Sequence, residues 1–254
     1  MILKFELYMS ALQKQRKIHM YLPDDYLYSQ KRYPVLYMFD GHNLFHDEDA
    51  TYGKSWNLAW HIIEGKKDMI IVGQECSHHG NDRLNEYSPY PFADAELQVQ
   101  QTGLGEETMD FFVNELKPYI DAHFPTLPQR ETTWIAGSSC GGEMALFAGM
   151  RYRDIYSRSL VISPYLIPTA DYFMMEADQT FFDQPSYFYM SWGALEGNGK
   201  HAFVQETTIC TELANRLQEH GARVFFHVKP EGEHTESSWE EEAPLFLDFL
   251  FYYE

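Results

Sequence analysis

The chain is short of cysteine, of basic charge and of long apolar runs. Only three cysteines occur among 254 residues, Cys76, Cys140 and Cys210. An odd number at wide spacing, without a C-x-x-C, supports neither a disulfide framework nor a zinc knuckle and points to a reducing compartment. Lys and Arg number 19 against 38 Asp and Glu, for a formal charge of −19. That balance argues against nucleic acid and anionic membrane surfaces as partners, since both need a basic patch, and mildly disfavours strongly anionic substrates. No stretch approaches the roughly 20 apolar residues that span a bilayer. Met1 to Tyr8 lacks an apolar run followed by small residues, so it does not read as a secretory signal, and a cytoplasmic location is expected. Low-complexity tracts, internal repeats and Pro/Gly/Ser linkers are also missing, which predicts one domain over residues 1–254.

What is present is a hydrophobic content of 44%, ordinary for a globular protein, arranged in an alternating pattern. Leu3 to Tyr8 and Lys17 to Leu22 alternate polar and apolar residues and can pair as antiparallel strands. Pro34 to Phe39 is a continuous apolar run, the mark of a strand buried on both faces. Runs of that kind recur at Met69 to Val72, Trp134 to Ala136, Ser159 to Ile162, Tyr187 to Trp192 and Val224 to Val228. Helical spacing appears between them. Met109, Phe112, Val113, Leu116 and Ile120 form one stripe, with Glu106 and Glu107 near its N-terminus, where negative charge is favoured. Ile209, Leu213 and Leu217 form another, closed by Gly221, and Leu245, Phe246, Phe249 and Leu250 a third. Buried strands alternating with amphipathic helices predict a mostly parallel α/β sheet, helices on both faces, with ligands at the carboxyl ends of the strands.

One of those strand ends carries Gly137-Ser138-Ser139-Cys140-Gly141, a G-x-S-x-G, with a helix-like segment after it. Chance alone supplies this pattern in roughly one chain of this length in ten, given Gly near 7% of residues. The strand before and the helix after it are the context its mechanism requires. A sharp turn strains the serine backbone, the flanking glycines let neighbouring chain pass, and the hydroxyl projects at a helix head where developing negative charge is favoured. Ser139 is therefore the candidate nucleophile. Ser138 is off-centre between the glycines. Cys140 points its side chain away, and its backbone N–H becomes an oxyanion donor.

A serine nucleophile needs a base, and the base needs an orienting carboxylate. In chain order the acid and then the histidine follow the serine. Four histidines qualify: His201, His220, His227 and His234. His227 lies within a strand pattern, His220 at a helix end, and His201 only five residues after the best acid. His234 sits in the loop beyond the last strand, where the base belongs. Glu196 is the first carboxylate after the Tyr187 to Trp192 strand, whereas Asp183 precedes it, at the wrong end of the sheet. The second oxyanion donor is expected in the loop after Phe39, from the backbone of His42 or of Asn43. His46 to Asp49 has ligand chemistry without loop spacing, and His78-His79 lacks a third ligand at helical or turn spacing, so no metal site is expected.

These residues resemble the esterase D–like family of α/β-hydrolases, related to feruloyl and acetylxylan esterases, S-formylglutathione hydrolases and enterochelin esterases. The resemblance runs from Val35-Leu36-Tyr37-Met38-Phe39-Asp40-Gly41-His42-Asn43 to His234 with Trp239 five residues later. It includes Asp82-Arg83-Leu84-Asn85-Glu86-Tyr87 and Glu115 to Asp121. The family's elbow reads Gly-x-Ser-Met-Gly-Gly; here Cys140 replaces the Met, which changes packing more than chemistry. Its acid is often Asp, where this chain has Glu196. The resemblance implies an α/β-hydrolase fold, with Ser139, Glu196 and His234 as nucleophile, acid and base. The segment holding Arg83, Glu86 and Tyr87 matches a loop beside the active site; its alternative is a structural Arg–Glu pair. Gly41 permits the close approach of the oxyanion loop, and Trp239 reads either as core packing or as a substrate platform.

The expected activity is hydrolysis of a small-molecule carboxylic ester through an acyl-enzyme, without metal or cofactor. An acylated sugar or a small aromatic or short-chain ester would suit the Tyr-, Phe- and Met-rich loops at 43–56, 76–92 and 165–184. Acyl transfer, thioesterase activity of the S-formylglutathione hydrolase kind, and a non-catalytic binding role are the alternatives. Exposed aromatic loops are consistent with a homodimer.

Overall fold

The alternating segments at the start of the chain form the antiparallel pair β1 (Ile2–Met9) and β2 (Lys14–Tyr21), in register from Ile2↔Tyr21 to Met9↔Lys14. The computed structural model describes residues 1–95, 97–197 and 199–252. The first buried run gives β3 (Val35–Phe39), which is followed by α1 (Leu58–Glu64), β4 (Ile70–Gln74) and the short α2 (Asp82–Glu86). A small hairpin, β5 (Phe92–Asp94) and β6 (Val99–Gln101), precedes α3 (Gly105–Asp110) and α4 (Lys117–His123). Then come β7 (Thr133–Ser139), α5 (Cys140–Arg151), β8 (Arg158–Pro164), α6 (Ala170–Gln179) and β9 (Tyr187–Gly193). The chain closes with α7 (Lys200–Glu219), β10 (Arg223–Lys229) and α8 (Glu236–Tyr252).

Eight strands form one sheet in the order β1-β2-β4-β3-β7-β8-β9-β10. The β1–β2 and β2–β4 pairings are antiparallel, and every pairing from β4 across to β10 is parallel. After β3 the chain steps outward to β4, then returns to lay β7 on the other side of β3. Such a reversal of order splays the connections apart and leaves a crevice at the carboxyl ends of the strands. Asp40 and Ser139 stand at the two strand ends that flank it.

The period of two along each strand sorts its side chains into two cores. From β3, Val35, Tyr37 and Phe39 face the core built with α3 to α7, while Leu36 and Met38 face the core under α1 and α8. Both faces of the central strands are thus covered, which is why they read as unbroken apolar runs. No helix among the described residues is long and apolar enough to cross a membrane.

Two elements differ from the sequence expectation. The stripe Met109 to Ile120 is helical, but its middle, Phe111–Leu116, is a π-helix joining α3 to α4. Phe111, Phe112 and Leu116 are all buried along this stretch. β10, expected to be buried on both sides, is an edge strand whose Phe225, Phe226 and Val228 remain 40%, 45% and 37% exposed. An apolar run does not by itself distinguish an edge from a centre.

The last two strand ends are tied by backbone packing. Gly193, at the end of β9, lies against Gly232 in the loop after β10, and a Cβ on Gly193 would fall inside contact distance of the Gly232 carbonyl. Leu195 N–H donates to that carbonyl at 2.9 Å and Ala194 N–H to Lys229 O at 2.9 Å. A methyl group has no low-cost escape from a backbone clash. Gly193→Ala should lower stability by roughly 1–3 kcal/mol, read as a shift in urea midpoint. An unshifted midpoint would mean that the two loops are not held together in this way.

Candidate active site

The turn from β7 into α5 is forced by close packing. Gly137 and Gly141 pass so near each other that a Cβ on Gly137 would overlap the Gly141 carbonyl. A Cβ on Gly141 would lie 2.9 Å from that of Phe39. Between them Ser139 takes φ 58° and ψ −126°, a backbone state that costs a non-glycine residue about 1–3 kcal/mol. Ser139 ends the strand and Cys140 begins the helix, so the Cys140 N–H has no partner one turn back within α5. Burial pushes the Cys140 thiol up to about 11, leaving it protonated and a poor nucleophile.

Ser139 shares a cavity of about 620 Å³ with His234. His234 Nδ1 pairs with Glu196 Oε2 at 3.0 Å, and the carboxylate is buried while the imidazole is 38% exposed. An ionised carboxylate only accepts, so the ring proton sits on Nδ1 and Nε2 keeps its lone pair. The other carboxylate oxygen, Oε1, accepts from Ser163 Oγ at 2.6 Å and from the Gly193 N–H at 2.5 Å. Ser163 Oγ in turn accepts from Trp239 Nε1 at 2.8 Å. The Trp239 ring meets His234 edge-on, centroids 5.1 Å apart. Glu206 of α7 lies close enough to feel this carboxylate: burial first, and the Glu196 charge second, push its own carboxyl up to about 8.

Across the crevice, the chain leaves β3 through Asp40, held at φ 55°, into a single 3₁₀ turn, Gly41–Asn43. Gly41 is pressed against the backbone of Gly73 in β4. The Asn43 N–H is already used, donating to Asp40 O at 2.9 Å. Among the described residues no hydrogen bond is formed by the His42 N–H. The Asn43 carboxamide nitrogen donates to Glu236 Oε1 at 3.2 Å, tying this turn to the segment that follows His234. Burial lowers the His42 ring to about 4, so it is neutral.

Asp40 receives one edge of the Arg83 guanidinium, Nε to Oδ1 at 2.9 Å and a terminal nitrogen to Oδ2 at 2.7 Å. Burial opposes ionisation of Asp40, but the Arg83 charge and its hydrogen bonds outweigh this and hold the carboxyl below its usual range. The Arg83 guanidinium also lies over the Tyr87 ring, 5.5 Å from its centroid. Arg83 and Trp239 line the cavity, as do His42 and Asn43.

Glu86 and Tyr87 do not reach it. Glu86 is buried with Arg16, at 2.5 Å, and Lys14, at 2.9 Å. Tyr87 donates its hydroxyl to Gln74 Oε1 at 2.6 Å and accepts the Asp40 N–H at 3.3 Å. Both support the wall from behind, and the partner of Arg83 is Asp40, not Glu86. The aromatic loops also differ from expectation: Tyr90 stacks on Tyr172 and packs edge-on to Phe173, and Phe92 packs on Tyr165, so these rings mostly contact one another.

Sequence reading missed Ser163, although it ends a buried strand, the position where chemistry was sought. It also missed a third neighbour for His78. One ligand atom from each of His42, Cys76 and His78 lies within 4.8 Å of the others, because β3 and β4 are parallel neighbours whose ends bring residue 42 beside 76 and 78.

A family model described as Putative esterase matches residues 9–245. The chain belongs to that family. It is 22% identical over 144 residues to the uncharacterized protein YbbA of Bacillus subtilis (strain 168), covering 56% of this chain and 54% of that one. It is 28% identical over 144 residues to an esterase of Mycobacterium tuberculosis (strain CDC 1551 / Oshkosh), covering 56% of this chain and 28% of that one. The match therefore spans about half, or less, of the length of these curated relatives. Among solved structures, an IroE-like serine hydrolase from Shewanella oneidensis superposes with a TM-score of 0.79 at 21% identity, covering 98% of this chain and 81% of that one. At that identity the likeness shows the fold: an α/β-hydrolase sheet with an antiparallel strand pair at its start.

This esterase-family chain also buries Glu143, in the first turn of α5 behind the elbow. Its Oε1 accepts from Ser88 Oγ at 3.1 Å and Thr169 Oγ1 at 3.0 Å. Burial raises its carboxyl from 4.5 to about 8, against the effect of those hydrogen bonds. The folded state thus binds the proton more tightly than the unfolded one, and stability present below pH 4.5 is lost as pH rises toward 8. Glu143→Gln keeps the acceptor without the charge. It should match wild type near pH 4.5 and exceed it by on the order of 2–4 kcal/mol above pH 8. Thermal denaturation at pH 4.5, 7 and 9 checks this, and a pH-independent gap would be inconsistent with a titrating Glu143.

Proposed function

We propose that this protein is a serine carboxylic-ester hydrolase of small polar esters, with Ser139 as nucleophile, His234 as base and Glu196 as orienting acid. The observation that carries the reading is the strained Ser139 sharing one cavity with an imidazole whose Nδ1 is fixed by a buried carboxylate. His234 Nε2 takes the Ser139 proton as Oγ adds to the acyl carbon. The tetrahedral oxyanion is held by the N–H groups of Cys140 and His42, and the Asn43 N–H, already bonded to Asp40, is the weaker candidate. Collapse expels the alcohol, which takes the proton back from His234. Water then adds to the acyl-enzyme by the same route and releases the acid.

The cavity wall bears on the substrate. Thr51, Tyr52, Lys54, Ser77, Ser138 and Glu236 line it, a largely polar set. Uncharged hydroxyl-rich alcohols, such as an acylated sugar carrying a short acyl group, suit that surface better than a long alkyl or bulky aromatic ester. The name of the tuberculosis relative, an esterase, agrees with ester hydrolysis.

Hydrolysis of p-nitrophenyl acetate and butyrate should be abolished by Ser139→Ala, with a loss of about 10⁴-fold or more in kcat. Glu196→Gln, which removes the charge that fixes the imidazole, should cost about 10²–10⁴-fold. A fluorophosphonate probe should label Ser139 and no other residue. Undiminished turnover in Ser139→Ala, or labelling of intact protein elsewhere, would exclude this assignment.

A further inference from the structure

The wall of the cavity opposite His234 holds a cluster that ester hydrolysis does not use. His42 and Cys76 are buried and His78 is half exposed, and their rings and thiol converge: the imidazole centroids are 4.7 Å apart at 81°, and the three ligand atoms lie within 4.8 Å of one another. His42 is 3% exposed, yet its Nδ1 has no hydrogen-bond partner among the described residues. A buried polar atom left unpaired costs about 1–3 kcal/mol and calls for a reason. The Nε2 atoms of both rings are engaged from outside, His42 by Thr51 Oγ1 at 2.8 Å and His78 by Glu75 Oε1 at 3.1 Å. An imidazole oriented through one nitrogen while the other stays open is how metal-ligating histidines are held.

We propose that His42, Cys76 and His78 form a binding site for one thiophilic divalent cation of the Zn²⁺ type, whose occupancy inhibits turnover at Ser139. The donor set decides the class of ion. Two imidazoles and a thiolate suit Zn²⁺, Co²⁺ and copper, whereas Mg²⁺ and Ca²⁺ want oxygen. Ligand atoms around a tetrahedral zinc sit roughly 3.3–3.8 Å apart, so the cluster must tighten by about 1 Å. His78, whose side chain is 52% exposed, supplies that movement. On binding, the Cys76 thiol loses its proton to solvent, and Asp40 retains Arg83. Three protein ligands leave a fourth position facing the cavity, and the ion would occupy space in which substrate reaches Ser139. The same turn that carries the His42 ring carries the His42 N–H assigned to the oxyanion, so pulling the ring toward a metal also displaces that donor. The inhibitory half of the proposal rests on the esterase reading; the binding half does not.

Cobalt separates the two. Titrating metal-free protein with Co²⁺ should give a thiolate-to-cobalt charge-transfer band in the near ultraviolet that saturates at one equivalent and is displaced by Zn²⁺. Cys76→Ser, nearly isosteric, should remove the band. His78→Ala, at a half-exposed position, should weaken binding by about tenfold or more, and His79→Ala should leave it unchanged. Circular dichroism establishes that each variant is folded. Absence of the band in wild type, or its persistence in Cys76→Ser, would overturn the site. Zn²⁺ should suppress p-nitrophenyl acetate hydrolysis over the concentrations at which it displaces cobalt. Full activity with the site occupied would overturn the inhibitory role alone, and a protein without esterase activity would still be judged by its cobalt spectrum.

Discussion

A carboxylate removed from water must be surrounded by donors, and at this site that requirement assembles four separate parts of the chain. Glu196 meets it with the Gly193 N–H from the end of β9, the Ser163 hydroxyl from the end of β8, and the His234 imidazole beyond β10. The fourth part is α8, whose Trp239 donates to Ser163 and so leaves that hydroxyl proton aimed at the carboxylate. A buried acceptor with one donor missing would favour protonation, and the imidazole would then lose both its orientation and its counter-charge. The network is therefore a condition for His234 to be placed at all. Trp239, which lines the cavity, thus takes part in the network through its N–H as well as through its ring contact with His234.

The strand ends share a second feature. Asp40, Ser139 and Ser163, at the carboxyl ends of β3, β7 and β8, all have positive φ, at 55°, 58° and 43°. None is glycine, so each carries a local cost that the surrounding packing offsets. At Asp40 and Ser139 the turn redirects the chain at once and leaves a polar side chain over the sheet edge instead of continuing the strand, and at Ser163 β8 ends one residue later, at Pro164. A relaxed turn of several residues would set those side chains back from the crevice. The covered faces of the sheet supply the stability that allows this, because both cores press the strands from either side.

How much was legible in the sequence follows from how local each signal is. The G-x-S-x-G pattern and the strands around it are contained within a few residues, and so Ser139 stood out. The order of strands pointed to Glu196 and His234 as candidates, because each is the first suitable residue past a strand end. The network that joins them could not, since Ser163 and Trp239 are ordinary residues until tertiary packing sets them together. The same limit misled the reading of Glu86: its spacing from Arg83 suggested a pair, whereas the fold delivers Arg16 from β2 to Glu86 and Asp40 from β3 to Arg83. The π-helical turn at Phe111–Leu116 and the edge position of β10 were hidden for the related reason that hydrophobicity records burial only on average.

The charge of the chain bears on how the oxyanion is held. With a net charge of −19, a mobile cation in the cavity would be shared with many carboxylates, and negative charge developing on a substrate would be opposed. Arg83 does not solve this, because its charge is already paired with the Asp40 carboxylate. Neutral backbone N–H groups do. In the reaction proposed above, fixed dipoles at the start of α5 and in the turn after β3 would stabilise the oxyanion without adding a formal charge that the acidic surroundings would neutralise, and they need no reorganisation as the charge appears. The same electrostatics make the wall opposite His234 receptive to a divalent cation, with Asp40 and Glu75 beside a thiol and two imidazoles. On the two proposals, a transient negative charge would be met by dipoles and a persistent positive one by ligands, on two sides of a single turn.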